Sequence, residues 1–210
     1  MIFLISRAKF ATSLLFIIFT LSSNANAAES HMGLFLEPAV TYETGDTSVN
    51  YPSPLSNSSG KAEGFGLGAR IGFHLYEAFF LGLDGRYSMP QFKDSSVSYD
   101  SKSVSTNWGP VVGMQIPDIG LRVWGAYILG GELNPEKSGS FDIKFQNAKG
   151  YRVGAGFRLA AVSLNLEYQQ LKYDQASLEQ LGPFSSSSAL SGVQLENKSW
   201  IASVSFPIEL

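Results

Sequence analysis

The stretch WGPVVGMQIPDIGLRVWGAYILGG, from Trp108 to Gly131, decides how this chain folds. Side chains alternate with a period of two on either side of Pro117 to Gly120, which predicts two β-strands joined by a tight turn. One face of the first strand is wholly apolar and carries Trp108, Pro110, Val112, Met114 and Ile116. The opposite face of the hairpin mixes small residues with polar ones. The fold therefore depends on which of the two faces meets water.

The same alternation recurs along the chain after residue 28, with almost no helical period. It predicts eight strands: 32–44, 62–76, 79–88, the two strands of the hairpin, 141–159, 162–173 and a last strand that ends at Leu210. The predicted fold class is all-β, an eight-stranded antiparallel up-and-down barrel.

The predicted connections fall into two kinds. Three are short, at 76–78, 117–120 and 159–162, whereas four are long and rich in Ser, Asn, Asp and Pro, at 45–60, 89–102, 133–140 and 174–197. In an up-and-down arrangement all short turns lie at one end of the barrel and all long connections at the other. Long polar connections are typical of exposed loops.

Alternation alone leaves open whether the apolar face points inward, as in a soluble lipocalin-like barrel, or outward, as in a transmembrane barrel. Three features favour the outward orientation. The small and charged face suits the narrow interior of eight strands. The apolar face lacks charges through the middle of each strand, and its aromatic residues gather near both strand ends, as in interfacial girdles. The apolar face is therefore predicted to contact membrane lipid.

The first 27 residues have the pattern of a secretory signal peptide. Arg7 and Lys9 precede the apolar run from Ser13 to Leu21, and Ala25 and Ala27 stand at the −3 and −1 positions of a cleavage site. The apolar run is short for a membrane-spanning helix. We therefore predict a signal peptide at 1–27 and a barrel domain at 28–210, outside the cytoplasm.

Signal peptide, eight amphipathic strands, short turns, long polar loops and a strand that reaches the last residue together resemble the small OmpA/OmpX-like outer-membrane barrels of Gram-negative bacteria. The resemblance covers nearly all of the mature chain and rests on pattern. It implies location in the outer membrane, contact with outer-membrane lipid, and recognition of the C-terminal strand SWIASVSFPIEL by the barrel-assembly machinery. The family usually ends in an aromatic residue, but this chain ends in Leu210.

Nine charged residues are predicted to point into the lumen: Glu37, Arg70, Asp84, Arg86, Arg122, Glu132, Arg152, Arg158 and Glu167. Buried charges need partners. Arg70 and Asp84 both lie seven residues from Glu77 in the turn, which places them opposite one another. The near-balanced set predicts a packed polar plug, and a selective pore is the alternative reading.

The composition argues against several other functions. A net charge of −3 gives no basic surface for nucleic acid. The chain has no Cys, and its two His residues are far apart, so no metal or cofactor site is predicted. Neither His31 nor His74 can be placed at the outer rim beside a Ser and an acid, which predicts that the chain is not an enzyme.

The predicted function is a structural or surface-interaction role carried by the long loops toward an unknown surface partner. Connections of this length tend to be functional or disordered. A narrow conduit for small or apolar solutes, resembling the OmpW-like barrels, is the alternative, because Val111, Trp124 and Ile128 are predicted to point inward.

Overall fold

The computed structural model describes residues 32–54, 56–76, 78–94, 99–116, 118–137, 141–181 and 184–210. The predicted signal peptide, 1–27, and His31 lie outside this range. The strands are β1 (Met32–Asn50), β2 (Ser58–Leu75), β3 (Phe79–Asp94), β4 (Tyr99–Ile116), β5 (Leu121–Ile128), β6 (Gly130–Pro135), β7 (Phe141–Leu159), β8 (Val162–Leu181), β9 (Phe184–Leu190), β10 (Gln194–Ser205) and β11 (Ile208–Glu209). No helix long and apolar enough to cross a membrane occurs among the described residues.

These segments form a closed antiparallel ring of eight strands. β5 and β6 are two halves of one strand between β4 and β7, and β9 and β10 both pair with β8 as two parts of one long strand. β10 then pairs with β1, which closes the ring, and β11 continues along the end of β1. The predicted eight-stranded barrel is confirmed.

The wall of the barrel has an apolar outer face over the middle of the strands. Phe65, Leu67, Leu83, Val112 and Leu166 are each between 54% and 65% exposed, whereas their strand neighbours point into a polar interior. The outward apolar run of β1 extends from Met32 to Tyr42, close to the 9–11 residues with which a tilted strand crosses a bilayer. The interpretation that the apolar face points outward is confirmed.

We call the end of the barrel that carries the three short turns the lower end, and the opposite end the upper end. The prediction of long loops at the upper end is wrong, because most of the residues predicted to form them continue the strands. β1 and β2 are joined by residues 51–57 only, and β8 and β9 pair from Ala176 with Leu190 up to Leu181 with Phe184. Beyond Tyr168, β8 runs on to Leu181, about 40 Å of strand at about 3.3 Å per residue.

The polarity of the wall reverses at the upper end. Many of the inward side chains there are apolar and form a buried cluster: Val49, Phe92, Leu133, Phe145, Ala148, Leu171, Tyr173, Ala176, Val193 and Leu195. Small polar side chains such as Thr47, Ser103 and Asn197 are buried beside them. The outward side chains are polar or charged, as Lys61, Lys93 and Lys172 illustrate. We call this region the cap. The cap has apolar side chains inside and polar side chains outside, which is the pattern of a water-soluble barrel. The middle of the wall has the opposite pattern.

Two irregularities change which side chains point inward where the strands pass from the middle of the wall into the cap. Between β5 and β6 one extra residue is inserted opposite β4, because Val111 pairs with Ala126 but Trp108 pairs with Gly130. On β7, Asn147 has a φ of 59°, a left-handed conformation that Asn tolerates. At the β5–β6 junction the inserted residue exchanges the inward and outward faces of the strand. At Asn147 the inward face also changes, from Ala148 to Phe145, but Gln146 stays paired with Gln175 and Ala148 with Tyr173, so no residue is inserted there.

Candidate functional site

The middle of the lumen is filled by a layer of charged side chains that six strands contribute. Its members are Glu37 on β1, Arg70 on β2, Asp84 and Arg86 on β3, Arg122 on β5, Arg152 on β7 and Glu167 on β8. All seven are at most 9% exposed. The structure thus brings together seven of the nine residues predicted for the lumen, and we call them the charge layer.

Asp84 is the point on which three arginines converge. Arg70 Nε lies 2.8 Å from its Oδ2 and Arg86 Nε lies 3.2 Å from its Oδ1, while Arg152 Nη1 also donates to Oδ1. The Arg70–Asp84 pair that the strand register predicts is therefore present. This pair is one part of a larger network. Pairing between adjacent strands alone would not produce that network.

Glu167 joins the same network from across the lumen. Its carboxylate accepts from Arg70 Nη2 at 2.7 Å and from Arg86 Nη2 at 2.8 Å, and Arg152 Nε lies 3.5 Å from Oε2. Arg152 also donates to Gln169 and Asn107. The layer therefore ties β2, β3, β7 and β8 together across the inside of the ring.

Glu37 completes the layer with a bidentate pair. Arg122 Nη1 and Nη2 donate to its two carboxylate oxygens at 2.9 and 2.8 Å, and the Ser205 hydroxyl donates to Oε1 at 2.6 Å. Two parallel charge-assisted bonds fix both the position and the orientation of the pair. Arg70 Nη1 lies 3.7 Å from Glu37 Oε1 and links this pair to Asp84.

Glycines opposite the long side chains make room for them. A Cβ added at Gly68 would lie 2.9 Å from Arg86 Cδ, and one at Gly154 would lie 2.6 Å from the Trp124 ring and 2.8 Å from Glu167 Cγ. The Arg70 guanidinium in turn lies 4.2 Å from the centre of the Trp124 ring. The alternation of Gly with charged and aromatic residues thus reflects a filled interior.

Two predicted members of the lumen set do not join it. Glu132 points outward, with a side chain 40% exposed and an ion pair to Lys144 at 2.8 Å, because the extra residue between β5 and β6 reverses the face that follows it. Arg158 lies at the lower rim, where it pairs with Glu209 at 3.3 Å and its side chain is 27% exposed. It sits at the end of β7, where the strands open to solvent.

Glu43 is a buried acid that the predicted set omits. It is 6% exposed and accepts from the Ser199 hydroxyl at 2.7 Å and from Gln169 Nε2 at 3.3 Å. Gln169 in turn accepts from Arg152, which connects Glu43 to the charge layer. Strict alternation from Glu37 along β1 places Glu43 on the inward face, so the sequence did contain the signal. With Glu43 the network holds four acids and four arginines.

The lower end of the lumen is closed by aromatic side chains. The rings of Phe35 and His74 stack with centroids 4.6 Å apart, and Phe80 meets Phe35 edge-on at 5.8 Å. His74 Nδ1 lies 2.9 Å from Glu209 Oε2, near the end of the chain. The Arg122 guanidinium lies 5.3 Å from the centre of the Phe80 ring, so this group packs directly against the charge layer.

The upper end is closed by the cap. Phe145, Leu171 and Leu195 are each at most 2% exposed. Burial raises the pKa of the Tyr173 hydroxyl far above its usual range, so the group stays neutral inside the cap. Its oxygen lies 3.5 Å from the Ser105 hydroxyl. The lumen is thus filled at three levels, and a gap beside the charge layer lined by Arg70, Asp84 and Asn165 has no room for a water molecule.

The donor set of the lumen offers little for a metal or cofactor. No group of three or more His, Asp or Glu side chains in the described ranges is arranged to hold a metal ion. Each acid of the charge layer is already engaged by arginines. The arrangement is suited to hold the wall of the barrel together.

Comparison with solved structures gives matches among bacterial surface proteins. The chain is 12% identical to Neisserial surface protein A (NspA), over 84% of this chain and 99% of that one, with a TM-score of 0.43. It is 11% identical to the outer membrane protease OmpT from Escherichia coli, over 89% of this chain and 99% of that one, with a TM-score of 0.46. No family model and no curated protein sequence matches. The protein's own geometry, with an apolar belt outside and a charge layer inside, is the architecture of a transmembrane β-barrel.

Proposed function

We propose that the protein is an outer-membrane barrel with a sealed lumen, and that its cap presents a rigid polar surface on the outside of the cell for interaction with a partner. The charge layer stabilises the membrane-spanning part of the barrel by joining its strands across the lumen. The strand extensions carry the interaction surface. Chemistry on a substrate has no part in this function.

The observation that carries the proposal is the reversal of polarity along single strands. On β2, Phe73, Leu67 and Phe65 point outward along the lower and middle parts of the strand. Lys61 points outward nearer the upper end. A strand that meets hydrocarbon and then water is expected to change its outward residues in this way. A barrel wholly in water has no reason to expose an apolar belt of this extent.

The geometry of His74 supports a non-enzymatic role. Its ring lies at the lower end between Phe35 and Phe80 and pairs with Glu209. A nucleophilic mechanism needs a base within hydrogen-bond reach of a Ser, Thr or Cys. The His74 ring is instead engaged with an acid and two aromatic rings, on the side of the barrel away from the cap.

Cell fractionation and spectroscopy test the location and the fold. We expect the expressed protein in the outer-membrane fraction, with a β-type circular dichroism spectrum in detergent and a compact form on gels that is lost on boiling. Recovery as a soluble periplasmic protein with the same spectrum would favour the lipocalin-like reading and contradict the proposal.

A narrow conduit is the second candidate, and the inward Val111, Trp124 and Ile128 favour it, because they give part of the lumen an apolar lining. Planar-bilayer recording separates the two functions. We expect no discrete channel steps from the wild-type protein, because side chains close the lumen at three levels. Reproducible steps whose size changes with Val111→Ala would favour the conduit.

Trimming the tip of the β8–β9 hairpin tests the interaction role. Ala176 and Leu190 are cross-strand partners at the edge of the cap core, so Ser177 to Ala189 can be replaced by the two-residue turn Asn-Gly. We expect the trimmed barrel to fold with an unchanged thermal unfolding midpoint. We expect cells that carry the trimmed protein to bind less to host or environmental ligands than cells that carry the wild type. As a control, alanines in place of Ser177 and Ser188 alone keep the hairpin length. Unchanged binding by the trimmed protein would contradict a role for this hairpin.

A further inference from the structure

We infer that the last five residues of the chain, Phe206 to Leu210, act as a strap that keeps the lower end of the lumen shut, with the Glu209 carboxylate as its clamp. This inference rests on the proposed function in one respect, because it takes the lumen to be sealed. It goes beyond that function by naming the contact that closes the lower end. It also predicts that this end can open while the ring of strands stays intact.

The strap is attached to the barrel by backbone pairing on one side only. Ile208 lies opposite Leu36 of β1, and the Leu210 amide donates to the Leu34 carbonyl at 2.8 Å. On the other side, the pairing of β10 with β8 ends at Ser205. The pairing of β10 with β1 closes the ring from Ser205 upward, so the ring does not need the strap. A chain terminus held in this way is the part of a wall that detaches most readily.

The Glu209 side chain holds the strap from both of its sides. Its Oε2 lies 2.9 Å from His74 Nδ1, and its Oε1 lies 3.3 Å from Arg158 Nη1. His74 belongs to β2, which lies beyond β1, and Arg158 belongs to the end of β7, which lies beyond β8. The carboxylate therefore supplies, through Arg158, a contact on the side where the backbone pairing is missing.

The position of the His74 ring depends on this carboxylate. Within the described part of the chain, Glu209 is its one hydrogen-bond partner, and its Nε2 is buried without a partner. A carboxylate only accepts, so the neutral ring carries its proton on Nδ1. Without Glu209 both ring nitrogens would be buried and unpaired, which costs free energy. The ring is then expected to turn toward the water below the barrel.

The strap holds two of the three rings that close the lower end. Glu209 is the backbone partner of Phe35, and its side chain holds His74, which stacks on Phe35. Phe80 meets both of these rings edge-on. The next side chain inward is Arg122, whose bidentate pair with Glu37 does not involve the strap. Detachment therefore opens the lower end as far as the charge layer and no further.

The test measures the chemical reactivity of His74 in the full mature protein in lipid nanodiscs. The probe is diethyl pyrocarbonate, which acylates an accessible neutral imidazole. The chain has two His residues, and modification of His31 in the same sample measures the supply of reagent. We expect His74 to react slowly in the wild type. In Glu209→Ala it should react roughly ten-fold faster, which corresponds to about 1.4 kcal/mol and is the scale of one hydrogen bond.

Glu63→Ala is the matched control, because it removes an exposed acid of the same charge at the upper end. It should leave His74 as slow as in the wild type. Equal His74 rates in the wild type and Glu209→Ala would overturn the inference, as would a wild-type rate equal to that of the chain unfolded in urea. If circular dichroism shows that Glu209→Ala does not fold, Arg158→Ala tests the same clamp from its other side and should also speed the reaction.

Planar-bilayer recording keeps a failure of this inference apart from a failure of the proposed function. We expect no channel steps from Glu209→Ala, because the charge layer and the cap still close the lumen. Steps from the wild type would contradict the sealed lumen of the proposed function, whatever the reactivity of His74.

Discussion

Replacing Asp84 by alanine is expected to lower the free energy of unfolding of the barrel by about 3–5 kcal/mol, the usual cost of removing one partner from a buried ion pair. Asp84 is 1% exposed and holds Arg70, Arg86 and Arg152. Its loss leaves three buried guanidinium groups to share Glu167. The measurement is urea unfolding in lipid vesicles, followed by tryptophan fluorescence.

Glu63→Ala is the matched control for this variant. It also removes a carboxylate from an ion pair, here with Lys93 at 3.4 Å, but both side chains are more than 40% exposed. Exposed pairs are worth about 0–1 kcal/mol, so we expect almost no change. Arg70→Ala in the Asp84→Ala background should cost less than in the wild type, because the Arg70–Asp84 interaction is already lost and only the contacts of Arg70 with Glu167 and Glu37 remain. Equal effects of Asp84→Ala and Glu63→Ala would show that the charge layer does not stabilise the barrel.

The ring of strands could be predicted from the sequence because two-residue alternation is a local signal. The residues of each strand alone indicate which side chains share a face, as in the stretch from Trp108 to Gly131. The ends of the strands at the cap were missed for a physical reason. There the surroundings change from lipid to water, so the outward residues become Ser, Asn and Lys, and a strand such as β8 from Asp174 to Leu181 resembles a loop in composition.

The charge layer was predictable in part, since alternation places Glu37, Arg70, Asp84 and Glu167 on inward faces. Glu132 shows the limit: one inserted residue at the β5–β6 junction turns it to the outside, and pairing with β4 is needed to locate the insertion. The contacts across the lumen, such as Arg86 to Glu167, depend on how the closed ring brings β3 to face β8. No pattern within a single strand contains that information.

Phe145→Ala should produce the second large effect, a loss of about 3–5 kcal/mol in the stability of the cap, as for other buried Phe truncations. Phe145 is 2% exposed and lies in the apolar cluster with Leu133, Leu171 and Leu195. The membrane part of the barrel gains little from burying apolar side chains, because its outer surface meets hydrocarbon in any case. The cap is surrounded by water, so its interior contributes a true hydrophobic effect.

Hydrogen exchange of the upper amides of β7 and β8 measures this contribution directly, since local opening of the cap exposes them even while the charge layer holds the ring together. We expect wild-type amides near Phe145 and Tyr173 to be strongly protected, and Phe145→Ala to speed their exchange by at least a hundred-fold, given a loss of about 3 kcal/mol. Gln146→Ala, a change at the adjacent residue outside the apolar cluster, should leave exchange nearly unchanged. If both variants matched a wild type that already exchanges quickly, the extensions would be flexible loops. An interaction surface would then have to order itself on binding, whereas a protected cap binds with its backbone already in place and avoids that entropic cost.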